Sequence, residues 1–282
     1  MPLLTTPLPD LATWTEHLRD APIPVMAATV HEIAQLAQLE EQRGCVDAQM
    51  LTQAISHDPL MTLRLLSYTG QHRRAAQVTD VETVTAAIMM MGVGTFFREF
   101  SALPSVEDQL ADLPVARDGL RRVMMRAHRS ARFALGFAVH RMDGDAAVIQ
   151  EAALLHDFSE MLLWCHAPAL AWEIKQRQRA EPTLRSVDAQ RAVLHIELGE
   201  LEQALMKAWK LPDLLLQITN DASSHALVAP QRRTVQLAVR LARHSAQGWN
   251  DAALPDDIRD IGEFLSLSPT ATQRLLHDLN NS

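Results

Sequence analysis

Wherever apolar residues in this chain recur with a clear period, the period is helical. The stretch 151–164, EAALLHDFSEMLLW, shows it well: Leu154, Leu155, Phe158, Leu162 and Leu163 recur at helical spacing, with Leu154 and Leu155 four and three residues before Phe158 and Leu162 four after it. No Asn-Gly or Asp-Gly hairpin flanked by alternating apolar residues appears in the first half, and Asp143–Gly144 lies between two helical patterns. The pattern predicts an all-α fold. It also isolates a polar pair, His156–Asp157, at the centre of an apolar helix. Burying an imidazole and a carboxylate together is costly unless each has a partner, so the pair is either hydrogen-bonded within the core or faces a cation.

Caps and breakers divide the pattern into segments. Pro2, Pro7 and Pro9 keep the first ten residues extended, and a helix is expected over 11–19. After Pro22 and Pro24 a longer helix covers 25–42, closed by Gly44, and Asp47 caps the next. Asp58–Pro59 is a strong start signal, because Asp caps and Pro is tolerated at the first helical position. Asp80 precedes a buried helix that ends at Gly92, and another short helix spans 93–103. Residues 104–114 read as a linker or a short helix. Long helices are predicted over 115–141 and 145–165, and Ser186 is expected to cap a single run through His195 to Trp209. Further helices follow Pro168, Pro212, Pro230, Asp256 and Ser268–Pro269. Met89, Met90 and Met91 read as core beside Ile88, and the tryptophans as packing rather than a base-stacking platform.

Composition narrows the class. With 282 residues, 48% hydrophobic and 21% charged, the chain can bury a substantial core. A formal net charge of −8 argues against a protein held on phosphate backbones, and Arg117, Arg121, Arg122 and Arg126 read as a solvated helix face. Two distant cysteines, Cys45 and Cys165, suggest reduced thiols in a cytoplasmic protein. The N-terminus lacks the pattern of a signal peptide, and the most apolar segment, 86–97, is too short to span a bilayer. No nucleic-acid or membrane partner is expected.

The order of segments resembles the HDOD domains, a signalling branch of the HD phosphohydrolase superfamily. In the first half the likeness rests on PIPVMAATVHEIAQLA, ISHDPLMTLRLLSYTG and ETVTAAIMMMGVGTFF. In the second it rests on MRAHRSARFALGFA, AALLHDFSEMLL, LHIELGELEQALMKAWKLP and TVQLAVRLARHSAQGW. It extends from Pro22 to Trp249. The resemblance implies a two-lobed helical bundle: an N-terminal extension at 1–21, a first lobe at 22–104, and a degenerate HD-like lobe at 105–282. Where the family usually has Asn-Ser after the Asp-Pro helix, this chain has Tyr68–Thr69.

Catalytic relatives bind metal through a His, the His-Asp pair, further His residues and a final Asp. The resemblance aligns His128 with the first ligand, His156 and Asp157 with the pair, and His195 with a later His that precedes Gly199 on the same helix face. Such a set suits Fe, Mn, Zn or Ni, and a metal there makes a nucleophile of bound water. Against this, the segment that should hold the final Asp reads VRLARHSA, without a carboxylate. Glu160 replaces a lysine, Asn220–Asp221 stands where the twin His of HD-GYP enzymes lies, and no Gly-Tyr-Pro follows. A phosphodiester would meet Glu160 and Asp221 with no obvious compensating Lys or Arg, which is unfavourable. Asp221 remains the one candidate for the missing carboxylate.

Two accounts therefore stand side by side. In the first, this is a bacterial regulatory module with no catalytic residues and no cofactor, acting through a signalling partner such as a cyclase, kinase, response regulator or transcription factor, alone or as a homodimer. In the second, it is a metal-dependent phosphohydrolase of nucleotides or cyclic dinucleotides, or a nucleotide sensor that keeps the old cavity.

Overall fold

The computed structural model describes residues 2–72, 82–221 and 226–281. In chain order the helices are α1 (Leu11–Asp20), α2 (Ala27–Arg43), α3 (Ala48–Ile55), α4 (Pro59–Gln71), α5 (Val84–Met91), α6 (Val93–Glu99), α7 (Val106–Gln109) and α8 (Pro114–His140). They continue as α9 (Ala146–Leu155), α10 (Phe158–His166), α11 (Pro168–Ala180), α12 (Ser186–Leu194), α13 (Leu198–Ala208), α14 (Asp213–Thr219), α15 (Ala229–His244), α16 (Leu254–Leu265) and α17 (Pro269–Asn281). Among the described residues there is no strand, only a single bridge pairing Val25 with Ser105. The all-α expectation holds. Among the described residues, no helix is long and apolar enough to cross a membrane.

The chain forms two compact units, and neither is one continuous stretch. The first takes residues 1–123 and 157–212; the second takes 124–156 and 213–282.

In the first unit α10 packs on α4, α11 and α13, while α1 lies against α13. Two buried tryptophans fix this arrangement. Trp14 Nε1 donates to Leu194 O at 3.1 Å, and Trp209 Nε1 donates to Arg19 O at 3.2 Å, so each indole N–H is satisfied inside the core. Asp58 caps α4, accepting from Leu60 N at 3.0 Å and Met61 N at 3.2 Å. Gly70 lets α4 approach the chain after α13, because a Cβ there would sit 2.5 Å from the carbonyl oxygens of Trp209 and Lys210.

In the second unit α9 is held by α14 and α15, and α16 packs on α15 and α17. Its core includes Phe133, Phe137, Ile149, Val235, Leu241 and Ile261. Ser130 Oγ, buried on α8, lies 2.8 Å from Ala153 O and ties α8 to α9. Arg129 spans from Ser245 O to Asn280 Oδ1, 2.5 Å from each.

Several expectations are corrected. The helix expected over 145–165 is two helices, α9 and α10, separated by His156–Asp157. Asp157 lies at φ −111°, ψ 23°, and its carbonyl accepts from Glu160 N and Met161 N to open α10. The run from Ser186 to Trp209 is also two helices. His195 adopts the left-handed conformation at φ 65° and ends α12, so it does not share a helix with Gly199, which has no heavy atom near its would-be Cβ. Ser186 is the first helical residue; Arg185 is the cap position. Of the two readings of residues 104–114, the short helix holds: they carry the one-turn helix α7. Ile88 is fully buried as expected, but Met89 is 71% exposed, so the methionine run is not wholly core. Asp80 lies outside the described residues; α5 is capped by Thr83, whose side chain accepts from Ala86 N.

Candidate functional site

The polar chemistry of the second unit converges on a groove of about 420 Å³ along α15. Helical spacing builds it. Arg233, Gln236, Arg240, Arg243 and His244 recur at three- and four-residue steps on one face, while Val235, Leu237, Ala238, Leu241 and Ala242 are buried on the other. His156, at the end of α9, and Asp221, just after α14, complete the wall.

Two carboxylates from α16 hold this face. Asp257, almost wholly buried, places Oδ2 2.6 Å from His244 Nδ1 and Oδ1 2.7 Å from Arg240 Nε. An ionised carboxylate only accepts, so His244 carries its proton on Nδ1. Asp260 lies 2.7 Å from Arg240 Nη2, 3.4 Å from Arg259 Nη2 and 3.8 Å from Arg233 Nη2, one carboxylate shared by three guanidiniums.

At the other end, Asp221 receives Gln236 Nε2 at 3.0 Å, and His156 Nε2 lies 3.8 Å from its Oδ2. Partial desolvation raises the Asp221 pKa, but the hydrogen bond and charge of His156, with Gln236 and Arg243, outweigh it. The carboxyl is held below its ordinary range.

The four residues aligned with metal ligands are distributed between the units. His128, on α8, and His156 belong to the second; Asp157 and His195 belong to the first. Asp157 is buried, whereas His195 is exposed at the end of α12. Each unit taken alone supplies two of the four, below the three protein ligands usual at a catalytic zinc. Among the described residues, no group of three or more His, Cys, Asp or Glu side chains is placed to hold a metal ion.

The expectation that no Arg offsets Asp221 is also corrected. Arg233, Arg240 and Arg243 line the same groove. The sequence carried a signal in the spacing of arginines along VRLARHSA and the segment before it. The carboxylate partners escaped notice because they come from the next helix, with no spacing rule to connect them.

The chain belongs to the HDOD domain family, whose pattern it matches over residues 23–225. Its fold is similar to that of the MmoQ response regulator from Methylococcus capsulatus, 20% identical, with a TM-score of 0.67 over 92% of this chain and 99% of that one. It is also similar to a virulence factor from Campylobacter jejuni, 18% identical, with a TM-score of 0.63 over 96% of this chain and 95% of that one. At these identities the likeness is one of fold. No curated protein matches the sequence.

Proposed function

We propose that this chain is a regulatory signalling module that acts by binding a protein partner and hydrolyses nothing itself. The observation that carries the reading is the engagement of the groove imidazoles by carboxylates of their own unit. His244 is held by Asp257 at 2.6 Å, and His156 stands against Asp221. Among the described residues, neither is gathered with two further ligands into a metal-activating set. Membership of the HDOD family supports the reading, as does the likeness to a response regulator and a virulence factor.

The partner is a cyclase, a kinase, a response regulator or a transcription factor. The test is crosslinking in the native cell followed by mass spectrometry, then reconstitution from purified components. A partner of one of these classes that binds the purified chain, and whose activity changes on binding, is the expected result. Failure to reconstitute any such complex across growth conditions contradicts the proposal.

A further inference from the structure

A separate cleft of about 890 Å³ lies wholly within the second unit, along α16 and the start of α17. It falls beyond residue 225, where the family match ends. Its apolar lining comes from Trp249, Pro255, Ile258, Leu267 and Pro269. Trp249, Ile258 and Leu267 are half-buried and the two prolines exposed, so the apolar floor is open to solvent. The Trp249 ring is braced, with the His277 ring 4.8 Å away and the Arg129 guanidinium 5.8 Å from its centroid. Arg129 directs its donors to Ser245 O and Asn280 Oδ1 and does not line the cleft.

The charged lining is acidic on balance. Asp251 stands three residues before α16 and Glu263 in its last turn, so a carboxylate marks each end. Among the described residues neither is paired with a basic side chain; Asp251 accepts from Ala253 N at 2.9 Å. Arg259, the one basic residue among those lining the cleft, lies 2.7 Å from Asp256 Oδ1 and 3.4 Å from Asp260 Oδ1, so its charge is already met. Glu263 also sits at the negative end of the helix dipole, so helix stability does not account for it. Such a lining repels nucleic acid and anionic lipid and attracts a cationic partner.

Shape narrows the occupant further. α16 has 12 residues and is therefore about 18 Å long, a trough of three turns. Among the described residues no strand borders it, so an extended segment would find no free edge for its backbone groups. A helix satisfies its own backbone and lays side chains at steps of three and four into such a trough. We propose that this cleft receives an amphipathic helix of a protein partner, apolar at those steps and carrying Lys or Arg toward both ends. This rests on partner binding as the chain's function and adds where the partner sits and what its segment is made of.

The test starts with selection of a phage-displayed random library of about 16 residues, four helical turns, on the full chain. Selected peptides are expected to combine helical apolar spacing with basic residues, and to bind saturably when labelled and followed by anisotropy. Ile258→Glu, which places a charge on the apolar floor, weakens them by more than about tenfold. Glu263→Lys weakens them by about threefold, and less at high salt. Asp112→Lys, the same charge change at an exposed site of the first unit, leaves binding unchanged. No binder, or binders without basic residues, overturns the proposal, as does binding that survives Ile258→Glu. Equal weakening by Asp112→Lys marks general charge attraction and overturns it too. Self-association abolished by Ile258→Glu, read by sedimentation, would put a second copy in the cleft instead. A reconstituted partner complex that the peptides do not displace overturns the docking site alone; peptide binding with no partner complex overturns the function alone. Circular dichroism and urea unfolding confirm that the variants fold.

Discussion

Asp58 Oδ2 accepts the backbone N–H of Met26 at 2.7 Å, across thirty-two residues of sequence. The same side chain caps α4 through Oδ1, so one carboxylate fixes the start of α4 and the residue before α2 together. The α2 cap position has no side-chain cap of its own; Asp58 holds the N–H of the cap residue Met26, and Glu107 Oε2 accepts from Ala27 N at 2.8 Å.

Asp58→Ala removes both functions. A lost cap and a buried N–H left without a partner together cost about 2–4 kcal/mol. Burial pushes the Asp58 carboxyl above its ordinary range despite these donors, so the site is occupied for its acceptors rather than for its charge. Asp58→Asn keeps one acceptor and loses the Met26 contact, and its loss falls between that of Ala and the parent. Urea unfolding of the three proteins gives the ranking.

Acid should destabilise the first unit through His166. Desolvation drives its pKa from 6.5 down to about 4, partly offset by a hydrogen bond to Pro22, and its Nε2 has no partner among the described residues. A depressed folded-state pKa means the buried ring is neutral. Its contribution is fully present above pH 6.5, and falls away as pH drops toward 4. The loss through this group reaches about 3 kcal/mol. His166→Gln removes this part of the pH dependence, which unfolding midpoints measured across the window will show as a flatter profile.

In the second unit Asp257→Asn is predicted to loosen α15 from α16. It weakens the hold on Arg240 and His244 at once, and because both are about one-third exposed the cost is about 2 kcal/mol rather than that of a fully buried pair. Urea unfolding measures the cost. Proton NMR of the His244 ring should show the Nδ1–H signal broadened by exchange in the variant and sharp in the parent.

Gly70→Ala tests the close approach of α4 to the end of α13. Backbone oxygens of Trp209 and Lys210 stand 2.5 Å from the new methyl, and backbone cannot yield as a side chain can. A loss of about 1–3 kcal/mol is expected. Thermal unfolding of this variant beside Gly199→Ala, where the methyl meets nothing within 4 Å, isolates the steric effect.

The parts of this structure that were legible in the sequence are local ones. Asp58–Pro59 announced α4 because cap and first-turn chemistry lie within four residues, and the period over 115–141 marked α8 to within a residue at each end. Two breaks were not legible. His195 ends α12 in a left-handed conformation that favours Gly or Asn, so a His embedded in an apolar run gave no warning. At His156–Asp157 the polar pair was visible but its turn was not. The groove was the least legible feature, since Asp257 meets His244 through the packing of α16 on α15, and no periodicity encodes a contact between helices.

Turnover is the most direct measure of the central claim. Purified chain, supplied in turn with Mn, Fe, Zn and Ni, is incubated with a nucleotide panel and with cyclic dinucleotides, and product is followed by chromatography. The account predicts no hydrolysis above the buffer rate with any metal. Hydrolysis that disappears in His156→Ala, with the helical signal intact, would contradict it.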